Sequence, residues 1–202
     1  MIPMECWEKL SAKLYFTVSD IAEVLDISRP SAWTWCSRNV KEGFIIRLKN
    51  DFYVLAQRWG SYQTLDFMKI ANYLQVPSYI SGMSALSYFN ISTQVQQSFF
   101  ESASVKRTRQ FGVKGCIFRY FKLKQELYFG FVKKDGLFIA TPEKAFADVL
   151  YMYSFGKSKF DFSAIDFSKF NRVELTKILK KFPDKTRRIG ERYVGSDRTG
   201  KV

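Results

Sequence analysis

The chain has 202 residues, of which 47% are hydrophobic, and this length is enough for one large or two small packed domains. Lysine and arginine number 32 against 19 aspartate and glutamate residues, a net charge of +13 that favours a polyanionic partner or an anionic membrane surface. The absence of histidine excludes every catalytic triad, metal site and acid–base mechanism that needs an imidazole.

The cysteines and the hydropathy pattern both favour a cytoplasmic protein. Cys6, Cys36 and Cys116 are isolated, with neither a CxxC motif nor the spacing of metal ligands, so we expect no disulfide and no zinc site. No stretch approaches the roughly 18 apolar residues of a membrane span. The charged start MIPMECWEKL also differs from a signal peptide. We therefore predict a reduced cytoplasmic protein with no membrane partner, no metal and no cofactor.

The first 58 residues carry the periodicity of three helices followed by a β-hairpin. Apolar residues at helical spacing begin near Trp7, and Thr17 is placed to cap a second helix in FTVSDIAEVLD. A tight turn then leads into SRPSAWTWCSRNVKEG (28–43), and alternation in FIIRLKNDFYVL (44–55) predicts a hairpin whose turn lacks the usual glycine. This order predicts a winged helix-turn-helix DNA-binding domain over 1–58, whose third helix enters the major groove. A three-helix protein-interaction module is the alternative.

The third predicted helix has two opposite faces when its residues are sorted at about 100° per residue. One face is predicted to meet the core and consists of Ala32, Trp33, Cys36 and Val40. The other points away from that core and consists of Ser31, Thr34, Trp35 and Arg38. We expect Ser31, Thr34 and Arg38 to contact base edges or phosphates. Trp35 has two interpretations, which are packing on a DNA sugar or thymine methyl, and a dimer or interdomain contact.

Further DNA contacts are predicted at the start of this helix and at the hairpin. Ser28 is the expected N-cap, and Arg29 is placed to meet a phosphate. In the wing, Arg47, Lys49 and Asn50 are expected to touch the DNA backbone. Solvation alone is the alternative for these three, because charges at a hairpin tip are commonly exposed to water.

Most of the positive charge lies outside this predicted domain. Residues 1–58 hold 8 basic and 7 acidic residues, whereas residues 59–202 hold 24 basic and 12 acidic residues. The densest run is KRTRQFGVKGCIFRYFKLK (106–124), in which no acidic residue occurs. We expect Lys106, Arg107, Arg109 and Lys114 to contact phosphates, the first three from a loop that connects strands. The aromatic residues of this run are interpreted as core, with a role in nucleic-acid binding as the alternative.

Residues 59–182 alternate helical and strand patterns, which predicts a mixed α/β domain with a mainly antiparallel sheet, and an α+β fold for the whole chain. The predicted helices lie near 61–75, in SGMSALSYF, in TPEKAFADVLYMY and in NRVELTKILKKF. The predicted strands are SFFESASV, CIFRYFKL, LYFGFV and LFIA. Residues 183–202 are polar, basic and contain glycine, so we expect a flexible tail.

One set of residues has the chemistry of a metal-dependent nuclease. Glu101, Glu143, Lys144 and Asp148 could supply carboxylates and a lysine. Glu143 and Lys144 are adjacent on a predicted helix, however, and point in different directions. We therefore expect these residues to form caps and ion pairs, and we predict that the protein is not an enzyme.

Three motifs carry a resemblance to a known family: PSYISGMSALSYFNI (77–91), KRTRQF (106–111) and IATPEKAFADVLY (139–151). Together with the winged-helix pattern of 13–57, they resemble the AbiEi antitoxins of type IV toxin–antitoxin and abortive-infection operons, over residues 5–182. The resemblance implies a bacterial autorepressor that binds repeats in its own promoter as a monomer or dimer. It also implies that the C-terminal domain assists DNA binding and counteracts a nucleotidyltransferase toxin, without a stable complex being required. A protein- or RNA-binding module with a basic surface is the alternative.

Overall fold

A computed structural model describes residues 4–94 and 97–194, which form two compact units that meet between Leu74 and Gln75. The boundary predicted after residue 58 falls instead within a helix of the first unit. Tyr62, which lies beyond this boundary, binds back to the N-terminal segment, because its hydroxyl donates to the carbonyl of Leu14 at 2.9 Å. Arg58, at the boundary itself, donates to the carbonyl of Ser11.

The first unit consists of helices around a two-stranded antiparallel hairpin. Its elements are α1 (Met4–Ser11), α2 (Val18–Leu25), α3 (Arg29–Lys41), β1 (Ile45–Lys49), β2 (Phe52–Leu55), α4 (Ala56–Trp59) and α5 (Thr64–Leu74). Phe16, between α1 and α2, pairs with Tyr53 of β2 through two backbone hydrogen bonds of 2.9 Å. These elements enclose one apolar core, which includes Leu10, Ile21, Cys36 and Ile45.

Local side-chain hydrogen bonds set the ends of these helices. Thr17 and Asp20 form a reciprocal capping box at the start of α2, and Asp26 ends that helix in the left-handed conformation with φ 49°. The Ser28 hydroxyl then accepts from the backbone N–H of Ser31 and starts α3, so only a tight turn separates α2 from α3. Asp51, with φ 54°, takes the positive-φ position in the hairpin turn that glycine usually fills.

The second unit is built on a six-stranded mixed sheet. Its strands are β3 (Ser78–Ile80), β4 (Phe99–Ser104), β5 (Arg109–Val113), β6 (Cys116–Lys122), β7 (Phe131–Lys134) and β8 (Leu137–Ala140). The spatial order is β5-β6-β4-β3-β8-β7. Three of the five pairings are antiparallel, and β4–β6 and β3–β8 are parallel. The whole described chain is thus α+β with a mostly antiparallel sheet.

Four helices accompany this sheet in the described part of the second unit. They are α6 (Gly82–Tyr88), α7 (Pro142–Ser154), α8 (Arg172–Leu179) and α9 (Asp184–Val194). Thr141 caps α7 and Asn171 caps α8 by accepting from backbone N–H groups. Nearly every side chain of α7 is buried, including those of Glu143, Lys144 and Asp148. This helix is therefore the centre of the second unit.

The segment predicted to be a flexible tail is helical over Asp184–Val194, and residues 195–202 lie outside the described residues. Packing contacts stabilise this helix, and its polar composition gave no indication of them. Thr186 is fully buried, and its hydroxyl lies 2.9 Å from that of Ser154. Gly190 packs so closely that an added Cβ would lie 2.6 Å from a methyl group of Leu179. Because these groups meet α7 and α8, packing orders the segment despite its many charges.

Candidate nucleic-acid interface

Helix α3 presents one continuous polar stripe on the surface of the first unit. Ser31, Thr34 and Arg38 are all exposed and follow the i, i+3, i+7 spacing of one helix face. Ser37 and Lys41 are exposed beside them. The structure therefore brings together the three residues that the sequence predicts for base readout.

The positive charge of this stripe, on Arg38, forms only a weak ion pair within the protein. The Arg38 guanidinium lies 3.9 Å from the Glu42 carboxylate, and the two side chains are 66% and 48% exposed. An exposed pair of this kind contributes at most about 1 kcal/mol, so another anion can replace the carboxylate. The Thr34 hydroxyl donates to the carbonyl of Pro30 at 3.2 Å and keeps its lone pairs available.

The prediction that Trp35 points away from the core is wrong. Trp35 is only 7% exposed, whereas Trp33 is half-buried. The ring of Trp7 in α1 lies 6.2 Å from that of Trp35 and covers the side of α3 that the azimuthal sorting assigned to solvent. Both interpretations offered for Trp35, a DNA contact and a dimer or interdomain contact, are replaced by a place in the core of the first unit.

The start of α3 lies close to the hairpin turn. Ser28 and Arg29 are both exposed, and a guanidinium nitrogen of Arg29 lies 3.8 Å from the Asp51 carboxylate. The other oxygen of that carboxylate accepts from the backbone N–H of Val18 at 2.7 Å. Asp51 therefore ties the turn to the start of α2 and directs Arg29 towards the same edge.

The three predicted wing residues are already engaged within the first unit. Arg47 donates to the side-chain oxygen of Asn50 at 2.7 Å, and both residues remain exposed. The Lys49 ammonium instead donates to the carbonyls of Tyr73 and Leu74, at 2.8 and 3.2 Å, and so caps the end of α5. Arg47 and Asn50 are therefore open to a ligand, whereas Lys49 has a structural role.

The basic run of the second unit lies at the edge of its sheet. Lys106 and Arg107 are exposed in the connection between β4 and β5, as predicted for a loop. Arg109 is instead the first residue of β5, and its guanidinium stacks 4.3 Å from the centre of the Phe111 ring. Lys114 is exposed in the turn between β5 and β6, with φ 46°. These four cations therefore surround one edge strand.

The aromatic residues of the run belong to the core, which was the interpretation favoured from the sequence. Phe111, Phe118, Tyr120 and Phe121 are all buried. Burial raises the pKa of the Tyr120 hydroxyl. Arg119 is only partly exposed, and one of its guanidinium nitrogens donates to the carbonyl of Lys157 at 3.1 Å.

The second unit contains a buried ion pair, which agrees with the expectation of caps and ion pairs for this set, although the sequence analysis predicted neither its burial nor which two residues pair. Lys144 and Asp148, one turn apart on α7, have fully buried side chains and are hydrogen-bonded to each other. The Lys144 ammonium also donates to the Tyr79 hydroxyl at 2.8 Å, and Asp148 accepts from Tyr79 and Ser81 at 2.9 and 2.8 Å. Burial lowers the pKa of Lys144 and raises the pKa of Asp148, and each partner opposes the shift of the other. The i, i+4 spacing was the signal in the sequence that could have identified the pair.

The remaining residues of the nuclease-like set form caps, as expected from the sequence. The Glu143 carboxylate accepts from the backbone N–H of Asn171 at 2.9 Å. Glu101 accepts from the backbone N–H of Met83 at 3.0 Å and lies 3.9 Å from Arg119. Burial raises the pKa of Glu101.

No protein-family model matches the chain, and no curated protein matches it. None of the helices in the described ranges is long and apolar enough to cross a membrane. In the same ranges, no three Cys, Asp or Glu side chains come together in a group that could hold a metal ion.

Proposed function

We propose that this protein is a cytoplasmic DNA-binding autorepressor that acts as the antitoxin of a type IV toxin–antitoxin operon. In this proposal residues 4–58 are a winged helix-turn-helix, α3 is the recognition helix, and the β1–β2 hairpin is a short wing. The observation that carries the proposal is the exposed polar stripe of Ser31, Thr34 and Arg38 on a helix that follows α2 after a tight turn.

The chemistry of the stripe suits a DNA major groove. Arginine binds the O6 and N7 acceptors of guanine through two hydrogen bonds, and serine or threonine hydroxyls bind any base edge that offers a donor or an acceptor. Lys41, one turn beyond Arg38, is placed for a phosphate. Arg29 and Arg47 add exposed cations near the hairpin turn, through their contacts with Asp51 and Asn50.

The net charge of the second unit supports a large contribution to phosphate binding. Residues 75–194 contain 21 basic and 10 acidic residues, whereas residues 4–74 contain 9 and 8. Lys106, Arg107, Arg109 and Lys114 are the exposed cations around β5, and no carboxylate lies within ion-pair distance of them among the described residues. Sequence-independent affinity is expected to come mainly from such contacts.

The support for antitoxin function is the sequence resemblance. Its most specific motif, IATPEKAFADVLY, forms the end of β8 and most of α7, and PSYISGMSALSYFNI forms β3 and α6. These segments supply the buried Lys144–Asp148 pair with its partners Tyr79 and Ser81. The motif thus maintains the fold of the unit to which we assign antitoxicity.

The first test is fluorescence anisotropy of the full chain on its own upstream intergenic DNA, compared with a scrambled duplex at near-physiological salt. We expect a preference of about a thousandfold or more for the upstream DNA. Equal and steeply salt-dependent binding to both duplexes would contradict the proposal. It would favour the protein- or RNA-binding alternative, in which the charge of the second unit meets an acidic partner.

Two sets of variants separate base readout from phosphate binding. Arg38→Ala is expected to weaken specific binding by about 5- to 150-fold and nonspecific binding much less, with Lys9→Ala, an exposed cation on α1, as the matched control. The double variant Lys106→Ala/Arg107→Ala should weaken both kinds of binding and reduce the salt slope by about 0.9 for each lost phosphate contact. Equal losses on both duplexes for Arg38→Ala would refute the assignment of α3.

Antitoxicity is tested separately by co-expression with the nucleotidyltransferase encoded beside the gene. The wild-type chain should restore growth, and Arg38→Ala should restore it equally, because this variant alters only the surface of α3. Failure of the wild-type chain to restore growth would refute the antitoxin assignment and would leave the DNA-binding assignment standing.

A further inference from the structure

The second unit contains a small cavity that the proposed function does not use. It has a volume of about 170 Å³ and lies between strands β4 and β6 and the helices α6 and α7. Its apolar walls come from Phe99, Phe121, Val149 and Met152. Lys159, in the segment after α7, is exposed at its edge.

Two oppositely charged side chains face each other in this cavity. Glu101 of β4 and Arg119 of β6 are directly opposite in the register of the two parallel strands. One Glu101 oxygen accepts from Met83, while the other lies 3.9 Å from the nearest guanidinium nitrogen, which is too far for a hydrogen bond. One nitrogen of the Arg119 guanidinium donates to the carbonyl of Lys157, at 3.1 Å. An acceptor and several donors are therefore left facing the cavity side by side.

The volume limits what the cavity can hold. A cavity of about 150 Å³ in a protein core accommodates one benzene molecule. The space between β4, β6 and α7 therefore suits a single six-membered ring, and the two fused rings of a purine exceed it. Aromatic walls favour a flat ring, because bases stack on phenylalanine side chains.

We propose that this cavity binds a cytosine base. The exocyclic N4 amino group donates to the free oxygen of Glu101, and Arg119 donates to the adjacent N3 and O2 acceptors. Phe99 and Phe121 supply apolar contacts to the ring, and Lys159 lies where it meets the phosphate of the nucleotide. Uracil fits less well because its O4 oxygen would face the Glu101 carboxylate.

This inference does not depend on DNA binding by α3, since the cavity is formed by the second unit alone. The cytosine can belong to a free cytidine nucleotide or to an unpaired base in a nucleic-acid strand. Both sources present the same ring edge. Competition between cytidine 5′-monophosphate and a short single-stranded oligodeoxycytidylate decides between them, because the tighter ligand identifies the source.

The experiment is isothermal titration calorimetry of the full chain with the 5′-monophosphates of cytidine, uridine and guanosine. Cytidine monophosphate should bind at one site, uridine monophosphate at least about tenfold more weakly, and guanosine monophosphate without saturation at millimolar concentration. Absence of saturable binding of both cytidine monophosphate and the oligodeoxycytidylate would overturn the proposal. Equal affinity for all three nucleotides would also overturn it, because only the phosphate would then be recognised.

A change of base preference separates this role of Glu101 from a structural one. In Glu101→Gln the amide oxygen can still accept from Met83, and the amide nitrogen then offers a donor to the cavity. We expect this variant to lose its preference for cytidine monophosphate, because the N4 amino group of cytosine then meets a donor, whereas the N3–H of uracil still opposes the donors of Arg119. Loss of binding without a change of preference would refute the assigned contact.

Two further variants test the position of the ligand. Val149→Phe places a ring in the cavity and should abolish binding, and Lys133→Ala, an exposed cation on β7, should leave binding unchanged. Circular dichroism and thermal melting establish that each variant is folded. If Val149→Phe does not fold, the base preference of Glu101→Gln decides the question. Unchanged binding in a folded Val149→Phe protein would place the nucleotide elsewhere.

Discussion

The buried pair of Lys144 and Asp148 leads to a prediction about stability. In Lys144→Met the methionine retains most of the apolar volume of the lysine stem, but the ammonium that binds Asp148 and Tyr79 is lost. Removing one partner of a buried ion pair typically costs about 3–5 kcal/mol, because the other charge is left without compensation. Asp148 retains two hydroxyl donors, from Tyr79 and Ser81, so we expect the lower end of this range, about 3 kcal/mol at pH 7.

The loss should depend on pH in a direction set by the pKa of Asp148. Burial already raises this pKa, and removal of Lys144 raises it further because the opposing positive charge is gone. A carboxyl group with a raised pKa in the folded state binds a proton more tightly there than in the unfolded chain. The penalty is therefore complete above the folded-state pKa and decreases as the pH falls from that pKa towards the ordinary value. We expect Lys144→Met to be less destabilising at pH 5 than at pH 7.

The free energy of unfolding can be measured by urea denaturation of the wild type and the variant at both pH values. Far-UV circular dichroism is the required probe, because Trp7, Trp33, Trp35 and Trp59 all lie in the first unit and report on that unit. Lys177→Met is the matched control. Its side chain is 68% exposed and lies 3.8 Å from Glu174, so it should change stability by less than about 0.5 kcal/mol.

Two results would refute this reasoning. A loss smaller than about 1 kcal/mol for Lys144→Met at pH 7 would mean that Asp148 is not a buried charge left without its cation. A loss as large at pH 5 as at pH 7 would mean that the carboxyl group does not take up a proton. The double variant Lys144→Met/Asp148→Asn gives an independent measure, and should cost about 1–3 kcal/mol less than the sum of the single changes.

Three further predictions concern packing and reactivity. Trp35→Ala should destabilise the first unit by about 3–5 kcal/mol in urea unfolding followed by the remaining tryptophans, and a loss below about 1 kcal/mol would contradict its burial. Gly82→Ala should cost about 1–3 kcal/mol, because φ is +61° and the new Cβ would lie 2.6 Å from a carboxylate oxygen, whereas Gly112→Ala meets no atom within 4 Å and should be nearly neutral. The Cys36 thiol should resist a thiol reagent at pH 8 until urea is added, because burial raises its pKa to about 11, and rapid labelling of the native protein would contradict this.

Helix starts were predictable from the sequence because their causes are local. Thr17, Ser28, Thr141 and Asn171 each accept a hydrogen bond from a backbone N–H three residues later, and α2, α3, α7 and α8 begin directly after them. A cap of this kind needs no distant partner. The same locality identified the tight turn between α2 and α3, on which the proposed function rests.

Two strands were missed because their partners are distant in sequence or their pattern is obscured. Ser78–Ile80 has three buried residues and no alternation, and it pairs with strands that begin at Phe99 and Leu137. Arg109–Val113 lies within a run of charges that suggested a loop. The strand predicted in LYFGFV begins only at Phe131, because a 3₁₀ turn occupies Gln125–Leu127.

At the candidate site, the sequence predicted which residues share a helix face, but it did not determine which faces are buried. Spacing placed Ser31, Thr34 and Arg38 on one face correctly, but sorting by azimuth assumed that α3 packs on one side only, and Trp7 covers a second side. The exposed stripe is consequently narrow and polar. If α3 binds DNA as we propose, the binding comes from hydrogen bonds and charge rather than from an inserted tryptophan. Specific affinity should therefore respond more strongly to Arg38→Ala than to changes in the apolar surface around it.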